Sequence, residues 1–309
     1  MLGTTLEVQI LATGQAQAMR AQQVLLAEID RLELIFSRFL PHSELNRWLK
    51  SSGQVPVSAE LGQVLQQALV WKELSGGAFH PATEALSPRW KAAEVSGVLP
   101  EVSAVLDEMA QPLYTVQEQA GQHGQVSHWT AERHTHLPLG FNAFAKGFIA
   151  DLSCEAAFTA AGVSQVVVNI GGDLRVQGPH GVQVDIADPF TLADNAAPIA
   201  GVRVQNMGAA TSGRARRGFL VGGVWHSHVL DPRSGQPTGR QQAGQVISAS
   251  VVAGSSASAD VLATIFSVLG PADSLRLADS LSGVACLLVD HSGQQYRNAL
   301  WTQLETDAA

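Results

Sequence analysis

The sequence has few charged residues, few aromatic residues and almost no cysteine. Charged residues make up 15% of the 309 positions and aromatic residues 6%, whereas hydrophobic residues reach 46%. This composition excludes disordered and fibrous chains and is typical of a globular protein with a sizeable core. The two cysteines, Cys154 and Cys286, lie in apolar stretches, which argues against a disulfide framework and predicts buried free thiols.

Basic residues are also in short supply. Lys and Arg together number 19 against 27 Asp and Glu, and the formal net charge is -8. Nucleic acids and acidic lipids carry the same sign of charge, so the composition argues against both as partners. A polyanionic ligand would need a local device, such as a metal ion.

Long uninterrupted hydrophobic runs are missing. The most apolar long stretch, residues 246–270, contains Asp260 and a middle rich in Ser and Gly. It therefore predicts a strand, a turn and a helix rather than a membrane span. The first residues lack a basic region followed by an apolar core, so no secretory signal is predicted. We expect no transmembrane segment, and we expect the protein in the cytoplasm.

The motifs of several common enzyme classes are absent. The sequence contains no Walker-type phosphate loop, no Gly-x-Gly-x-x-Gly fingerprint, no Gly-x-Ser-x-Gly elbow and no Cys-x-x-Cys pair. The sequence therefore argues against the nucleotide-binding and hydrolase classes that depend on these motifs.

Helix and strand patterns alternate along the chain. Apolar residues at helical spacing predict helices over 16–36, after the capping candidate Ser58, from about Lys146, over 259–269 and after Pro271. Strands are predicted at 4–11, 166–170, 182–186, 201–204, 219–224, 246–252 and 284–289, with short strands in 113–139 and a polar loop at 37–46. No linker divides the chain. We expect an α+β fold and a single domain over 1–309, with mixed and antiparallel sheets, flanking helices and two intertwined lobes that leave a cleft.

A carboxylate and a hydroxyl share one face of the helix predicted over 259–269. Asp260 and Thr264 are four residues apart, and this spacing brings their side chains together. Such a pair can serve a hard cation such as Mg²⁺, which completes its shell with water and substrate phosphate. An Asp near a helix start also commonly caps the helix or pairs with its dipole, so both interpretations stay open.

Two histidines lie in the segment 225–235. In an extended strand, His226 and His228 fall on one face. The pair, with Asp231 nearby, suits Zn²⁺. Alternatively, one histidine acts as a general base near neutral pH, or both are structural.

Two further features favour an anionic ligand. Gly171, Gly172 and Asp173 follow an apolar strand and let a ligand approach the backbone, although a tight turn explains them equally well. Lys146 opens a predicted helix, where the helix dipole disfavours a cation. Its position therefore indicates a negatively charged partner.

Hydroxyls and arginines occur together further along the chain. Thr211, Ser212 and Gly213 precede Arg214, Arg216 and Arg217. Hydroxyl, amide and guanidinium groups of this kind hold phosphate, but a solvated run of charge is an equally good interpretation.

A set of short motifs occurs in a fixed order over nearly the whole chain. It comprises Met1-x-Gly-Thr, Phe36-Ser-Arg-Phe, Ser43-Glu-Leu-Asn, Ser75-Gly-Gly-Ala-Phe, Ala145-Lys-Gly with Asp151, Val168-Asn-Ile-Gly-Gly-Asp, Thr211-Ser-Gly, Ser227-His-Val-Leu-Asp-Pro-Arg-Ser-Gly and Ala259-Asp-Val-Leu-Ala-Thr. The ordered set resembles the ApbE family of FAD:protein FMN transferases. No single motif is decisive, but their order is specific.

This resemblance implies a cleft that holds FAD with Mg²⁺ on its pyrophosphate. The implied metal ligands are the backbone carbonyl of Ala143 and the side chains of Asp260 and Thr264. The implied reactive histidine is His228. The implied contacts to FAD are Phe79, Lys146, Gly171, Gly172, Asp173, Thr211, Ser212 and Gly213.

The resemblance also implies an activity. A Thr or Ser hydroxyl of an acceptor flavoprotein would attack the FMN-side phosphorus of FAD, and AMP would leave. Water in place of the hydroxyl would make the protein a FAD pyrophosphatase that gives FMN and AMP. A FAD-binding protein without catalysis and a zinc hydrolase built on His226 and His228 are the remaining alternatives.

The sequence departs from the family pattern at three motifs. His80 stands where the family usually has Asp after the Phe79 motif, Arg214 and Ala215 stand where an acidic and an aromatic residue usually follow Gly213, and the stretch before Ala145-Lys146 reads Gly140-Phe-Asn-Ala-Phe. We expect these positions to contact the flavin or the acceptor, so the departures leave the substrate preference open.

Overall fold

The computed structural model describes residues 3–120, 127–191, 196–213, 218–238 and 244–307. Its helices are α1 Gln15–Phe36, α2 Glu44–Leu49, α3 Ala59–Leu74, α4 Ser87–Ser96, α5 Ser103–Met109, α6 Ala145–Phe158, α7 Ser256–Val268, α8 Pro271–Ser280 and α9 Ala299–Leu304, with a 3-10 turn at Thr83–Leu86. Its strands are β1 Leu6–Ala12, β2 Gln54–Val57, β3 Tyr114–Gln119, β4 His128–Arg133, β5 Val163–Ile170, β6 Asp173–Gln177, β7 Val182–Ile186, β8 Ala200–Val204, β9 Gly208–Gly213, β10 Gly218–Val221, β11 Val224–Ser227, β12 Leu230–Asp231, β13 Gln236–Pro237, β14 Val246–Ala253, β15 Ala285–Asp290, β16 Gln295–Arg297 and β17 Glu305–Thr306.

A seven-stranded sheet in the order β1-β5-β6-β9-β14-β15-β16 forms the centre of the fold. Successive residues of a strand point to opposite faces, so a strand buried on both faces is apolar throughout. In β5, Val166 and Val168 join the core on one side of the sheet, whereas Val167 joins the core on the other side. This is why the three consecutive residues 166–168 are all valine.

Helices and a second sheet cover the two faces of the central sheet. Helices α1, α6 and α7 pack on one face, with α6 against β5 and β6, and α7 against β9 and β14. The other face packs against the three-stranded sheet β17-β8-β7 and α9, where Trp301 is fully buried. The β2-β4-β3 sheet packs with α3 beside this body. The larger core contains residues from both halves of the chain, such as Leu61 and Phe266.

The α+β prediction is confirmed, and every strand pairing in the described ranges is antiparallel. Ser58 caps α3 as predicted, because its hydroxyl accepts from the Leu61 N–H at 3.2 Å. Cys154 and Cys286 are buried free thiols, as predicted. In the described ranges no helix is long and apolar enough to cross a membrane. The expectation that residues 1–309 form a single domain stays a prediction.

Two local predictions are wrong. The single strand predicted at 219–224 is a hairpin of β10 and β11, because Gly222 and Gly223 adopt positive φ values of 57° and 80° and reverse the chain. The polar loop predicted at 37–46 already contains the first residues of α2, which Ser43 caps through the Asn46 N–H. The sequence patterns also did not reveal α4 and α5.

Candidate active site

Close contact between α6 and α7 builds one wall of the candidate site. A Cβ atom added to Gly147 on α6 would lie 2.5 Å from the Ser256 carbonyl carbon, so only glycine permits this approach. The Asp151 carboxylate accepts from the N–H groups of Ser256 at 2.8 Å and Ala257 at 3.0 Å, which satisfies the first turn of α7. The two helices are therefore locked together beside Lys146.

Three charged side chains meet at this contact. The Lys146 ammonium donates to the Asp173 carboxylate and lies 3.3 Å from Asp260 Oδ2. Burial raises the pKa of Asp260 well above its usual value, and the charge of Asp173 raises it further while Lys146 opposes both. Burial also raises the pKa of Asp173, against the influence of Lys146. With two acidic groups to one ammonium, the cluster favours one more positive charge.

Oxygen atoms suited to a divalent cation surround this cluster. Thr264 lies one helical turn after Asp260, and both side chains line the same cleft. The Ala143 carbonyl oxygen accepts no hydrogen bond from the described residues, and Ala143 lines this cleft as well. Carboxylate, hydroxyl and carbonyl oxygens are the ligands that Mg²⁺ takes. The chemistry of this donor set fits Mg²⁺, and the assignment of Ala143, Asp260 and Thr264 as its ligands stays a prediction.

The alternative role of Asp260 as a helix cap is not supported. The cap of α7 is Ser255, whose hydroxyl accepts from the Ser258 N–H at 3.1 Å. Asp260 is the fifth residue of the helix and is only 8% exposed. Asp260 is buried, lies away from the helix end and is next to a second carboxylate. Such a carboxylate lowers the stability of the folded protein, which points to a functional role.

The turn between β5 and β6 brings Asp173 to the cleft. Gly171 and Gly172 form this two-residue turn with positive φ values of 63° and 101°. Gly171 lines the cleft, and a side chain there would collide with Thr4. The Gly172 N–H donates to Asn169 Oδ1 at 2.9 Å, and Gly172 lines a separate small cavity of about 40 Å³ instead.

The end of β9 supplies the opposite wall. Thr211, Ser212 and Gly213 all line the cleft. The Thr211 hydroxyl forms a hydrogen bond with the Ser250 hydroxyl at 2.8 Å, which holds it against β14. Residues 214–217, which include the departures at Arg214 and Ala215, lie outside the described residues.

The cleft consists of two adjoining cavities that share part of their lining. The first cavity, of about 500 Å³, extends from this shared part toward Thr4, residues 36–39 and Gly171. The second, of about 390 Å³, extends toward Phe79, His80 and Leu230. The residues that line both cavities, which we call the waist, are Asn142, Lys146, Ser212, His228, Asp260 and Thr264.

Phe79 and His80 form the floor of the second cavity. Phe79 is 4% exposed and packs edge-on against Phe144 at a centroid distance of 5.9 Å. The His80 ring accepts from the Ala82 N–H at 3.1 Å and lies 3.1 Å from the Met109 carbonyl oxygen. Burial and the nearby Lys72 lower the pKa of His80 to about 4. His80 is therefore neutral near pH 7.

The two histidines of segment 225–235 have different surroundings. His226, on β11, stacks on Trp90 at a centroid distance of 5.2 Å. His228 lies beyond the end of β11 and lines both cavities. Within the described residues, no three or more His, Cys, Asp or Glu side chains are placed to hold a metal ion. Zinc sites use three or four such ligands, so the geometry favours a base role for His228 over the zinc pair.

Sequence reasoning assigned no role to Arg38 and Glu84, which also line the cleft. Arg38, which lines the first cavity, forms an ion pair with Glu84, which lines the second. The amide of Asn142, a waist residue in the departing stretch 140–144, donates to Glu84 at 3.4 Å. Arg38 lies in a motif that the sequence does display. Glu84 lies in the 3-10 turn, and no local pattern marks it.

The fold and the site define a class: an α+β protein with a two-part cleft and an acidic, metal-competent waist. The chain belongs to the ApbE family, whose profile matches residues 2–288. A curated relative from Rhodobacter capsulatus, a FAD:protein FMN transferase, is 30% identical over an alignment of 308 residues that covers 95% of this chain and 55% of the relative. The chain thus spans about half the length of that relative.

Other comparisons agree. The FAD:protein FMN transferase of Treponema pallidum (strain Nichols) is 28% identical over an alignment of 305 residues that covers 94% of this chain and 82% of the relative. The crystal structure of the ApbE protein from Thermotoga maritima has a TM-score of 0.79 at 20% identity and covers 99% of this chain and 97% of its own. The apo form of the Pseudomonas stutzeri flavinyl transferase ApbE has a TM-score of 0.75 at 23% identity, with coverage of 98% and 94%. At such identities the two structures show the shared fold.

Proposed function

We propose that this chain is a Mg²⁺-dependent transferase that moves FMN from FAD onto a Thr or Ser hydroxyl of an acceptor protein. The observation that carries the proposal is the two-part cleft. FAD has two bulky ends joined by a pyrophosphate, and the cleft has two cavities joined by a waist with Lys146 and several oxygen donors. Membership of the ApbE family and the names of the curated relatives support the same activity.

The residues of the waist divide the work of binding. The Lys146 ammonium faces the pyrophosphate position, and Asp173 keeps it charged and oriented. Asp260, Thr264 and the Ala143 carbonyl would hold Mg²⁺, which neutralises charge on the pyrophosphate oxygens. The hydroxyl of Ser212 and the backbone at Gly213 and Gly171 line the adjoining walls.

The transfer step balances without an oxidant or a reductant. The acceptor hydroxyl oxygen bonds to the FMN-side phosphorus, and the bond from that phosphorus to the bridging oxygen breaks. AMP leaves with the bridging oxygen, and the hydroxyl proton passes to His228. His228 suits this role because it lines both cavities and is exposed to an incoming partner.

Mass spectrometry tests the proposal directly. The protein is incubated with FAD, Mg²⁺ and a panel of candidate acceptor domains, and AMP and FMN are quantified in the same tubes. An acceptor that gains the mass of an FMN phosphoester, with an equal amount of AMP, is the expected result. Free FMN and AMP without modified acceptor would instead identify a pyrophosphatase, and unchanged FAD a binding protein.

Substitution of His228 tests its assigned role. His228→Asn removes the base and should lower the rate of transfer by roughly 10² to 10⁴-fold. FAD affinity, measured by flavin fluorescence, should change little. His134→Asn is the matched control, because His134 is exposed and lines neither cavity. Normal transfer by His228→Asn would remove the base from the mechanism.

A further inference from the structure

The exposed apolar side chains of this protein are not evenly distributed. Fourteen large apolar residues are exposed in the described part of the chain, and six of them lie on the β10–β11 hairpin and the adjoining end of α4. Their exposed fractions range from 46% to 91%. We call these six residues the hairpin patch: Val95, Val98, Leu99, Leu220, Val224 and Trp225.

The hairpin and the helix end form one continuous surface. Leu220 and Trp225 are directly paired across the hairpin, so their side chains share its outer face, whereas Val224 pairs with the buried Val221 and lies on the face toward α4. The patch therefore continues around the hairpin turn rather than over one face. The Leu220 N–H donates to Glu94 Oε1 on α4 at 2.8 Å. At the hairpin turn, a Cβ added to Gly222 would lie 3.3 Å from the Gly97 carbonyl oxygen, at the end of α4.

The hairpin is held rigidly from its inner face. The Trp90 ring packs against Phe219 at 6.0 Å and His226 at 5.2 Å, and its Nε1–H donates to the Gly235 carbonyl at 2.9 Å. On the outer face, a Cβ added to Gly218 would lie 2.5 Å from the Trp225 ring, so the indole lies flat over that glycine. A fixed, half-exposed indole loses little conformational entropy on binding, which is typical of an interface anchor.

The hairpin patch is connected directly to the active site. His228 follows the last residue of β11, and Ser87, at the start of α4, lines the second cavity. The ten residues of α4 span about 15 Å at 1.5 Å per residue. A standard interface of about 800 Å² per partner is a disc with a radius of about 16 Å. A partner of this size seated at the far end of α4 is large enough to reach the second cavity at the start of the helix.

Two basic side chains lie between the cleft and the hairpin patch. Arg89 and Lys91 are exposed on α4, and neither forms an ion pair with a described residue. They stand out in a chain with a formal net charge of -8. A partner with an acidic rim would complement them.

We propose that the hairpin patch is the docking surface for the folded acceptor protein. The partner presents an apolar surface with an acidic rim next to the loop that carries its Thr or Ser hydroxyl. This inference rests on the proposed function and deepens it, because it says how a protein rather than water is brought to His228. Area buried on the patch also excludes solvent from the mouth of the cleft.

Kinetics with two forms of one acceptor test the proposal. The probes are the acceptor domain identified by mass spectrometry and a short synthetic peptide with the same hydroxyl. The variant Leu220→Thr/Trp225→Thr removes the outer face of the hairpin and keeps β-forming residues. It should raise KM for the folded domain at least tenfold, while kcat, FAD affinity and KM for the peptide stay unchanged. Met19→Gln/Leu34→Gln on α1, which is equally exposed but outside the patch, should behave as the wild type.

A second variant covers the case in which the hairpin fails to fold. Lys91→Glu changes only an exposed helix position, and it should raise KM for the folded domain several-fold at low salt and little at high salt. Unchanged KM in both variants would overturn the docking proposal and leave the transferase intact. If the wild type is a dimer, the double variant is a monomer and KM is unchanged, the patch is instead the interface between two copies of the chain. If no domain or peptide is flavinylated, the proposed function itself fails.

Discussion

Asp260 is a carboxylate that the fold keeps at a cost. It is buried, it lies beside Asp173 and it does not cap α7, which Ser255 does. Lys146 neutralises one of the two carboxylate charges of Asp173 and Asp260 and leaves the other without a counter-charge. Removing the carboxylate charge therefore relieves desolvation and repulsion while it removes a metal ligand.

We predict that Asp260→Asn separates activity from stability. Mg²⁺-dependent release of AMP from FAD should fall at least 100-fold, roughly the loss of one charged stabilising group. The midpoint of thermal unfolding should stay the same or rise, because Lys146 retains Asp173 as its partner. Asp273→Asn is the control, since Asp273 is 55% exposed and pairs with Arg276 on the surface of α8. Retained turnover in Asp260→Asn would remove this residue from the metal site.

We predict that His80 makes the fold sensitive to mild acid. Its pKa is lowered to about 4 in the folded protein, whereas a histidine in an unfolded chain titrates near 6.5. The unfolded chain therefore binds a proton first as the pH falls, so stability is complete above about pH 6.5 and declines toward pH 4. The loss attributable to this group is at most about 3 kcal/mol. Urea unfolding at pH 7.5 and pH 4.5 should show a steeper decline in the wild type than in His80→Asn. Parallel declines would show that His80 is not the cause.

The single residues of the site were predicted from their motifs, not from their environment. The i,i+4 spacing of Asp260 and Thr264 predicted a shared face, and the structure places both in the waist. The contact of Asp260 with Lys146 and Asp173 joins three distant segments, and no local pattern indicates it. Glu84 was missed for the same reason, whereas Arg38 lies in a recognised motif and Asn142 in a recognised departure from the family pattern.

Between elements, the most sensitive contact is the crossing of α6 and α7. Gly147 fits where any Cβ would meet the Ser256 backbone. Asp151 ties the same two helices together through the Ser256 and Ala257 amides. The position of Lys146 relative to Asp260 is therefore set by backbone contact rather than by flexible side chains.

We predict that Gly147→Ala pushes these helices apart. Overpacking of this kind typically costs about 1 to 3 kcal/mol, and the waist should lose its geometry at the same time. Chemical denaturation should report the lost stability, and FAD turnover should fall by more than tenfold. Gly270→Ala is a suitable control, because Gly270 has a negative φ of -72° and a methyl group added there would have no atom within 4 Å. Normal turnover in Gly147→Ala would mean that the waist tolerates the shift.

The helix at 16–36 was predicted well because its apolar spacing is repeated over several turns, and the strand at 166–170 because three consecutive valines favour an extended chain. Helix α4 was missed because it buries only Trp90 and Ala93, too few for a helical pattern to show. The β10–β11 hairpin was read as one strand because apolar residues flank Gly222 and Gly223 on both sides. The positive φ of these glycines makes the turn, and a Gly-Gly pair between apolar runs is a recognised hairpin signal.

Considered as one body, the chain is interleaved. Residues of α1 and α3 share one core with residues of β14, α7 and β15, such as Leu25 with Val251 and Leu288. Residues from both halves of the sequence therefore contribute to the larger core. The single domain that the absence of a linker predicts stays a prediction.

We predict a single cooperative unfolding transition. Tryptophan fluorescence and far-ultraviolet circular dichroism should give coincident urea curves, and the calorimetric and van't Hoff enthalpies should agree. Saturating FAD with Mg²⁺ should move the transition to higher temperature, since a ligand that binds only the folded state stabilises it. Two resolved transitions would instead divide the protein into two separately folding lobes.

The two-cavity cleft has a consequence for turnover. FAD would gain contacts in both cavities and at the waist, whereas AMP and FMN would each occupy one cavity. Linked groups bind far more tightly than the same groups apart, because the second contact is made at a high effective concentration. We expect both products to be weak competitors of FAD. An enzyme with this cleft would continue to work in a cell where its own products accumulate.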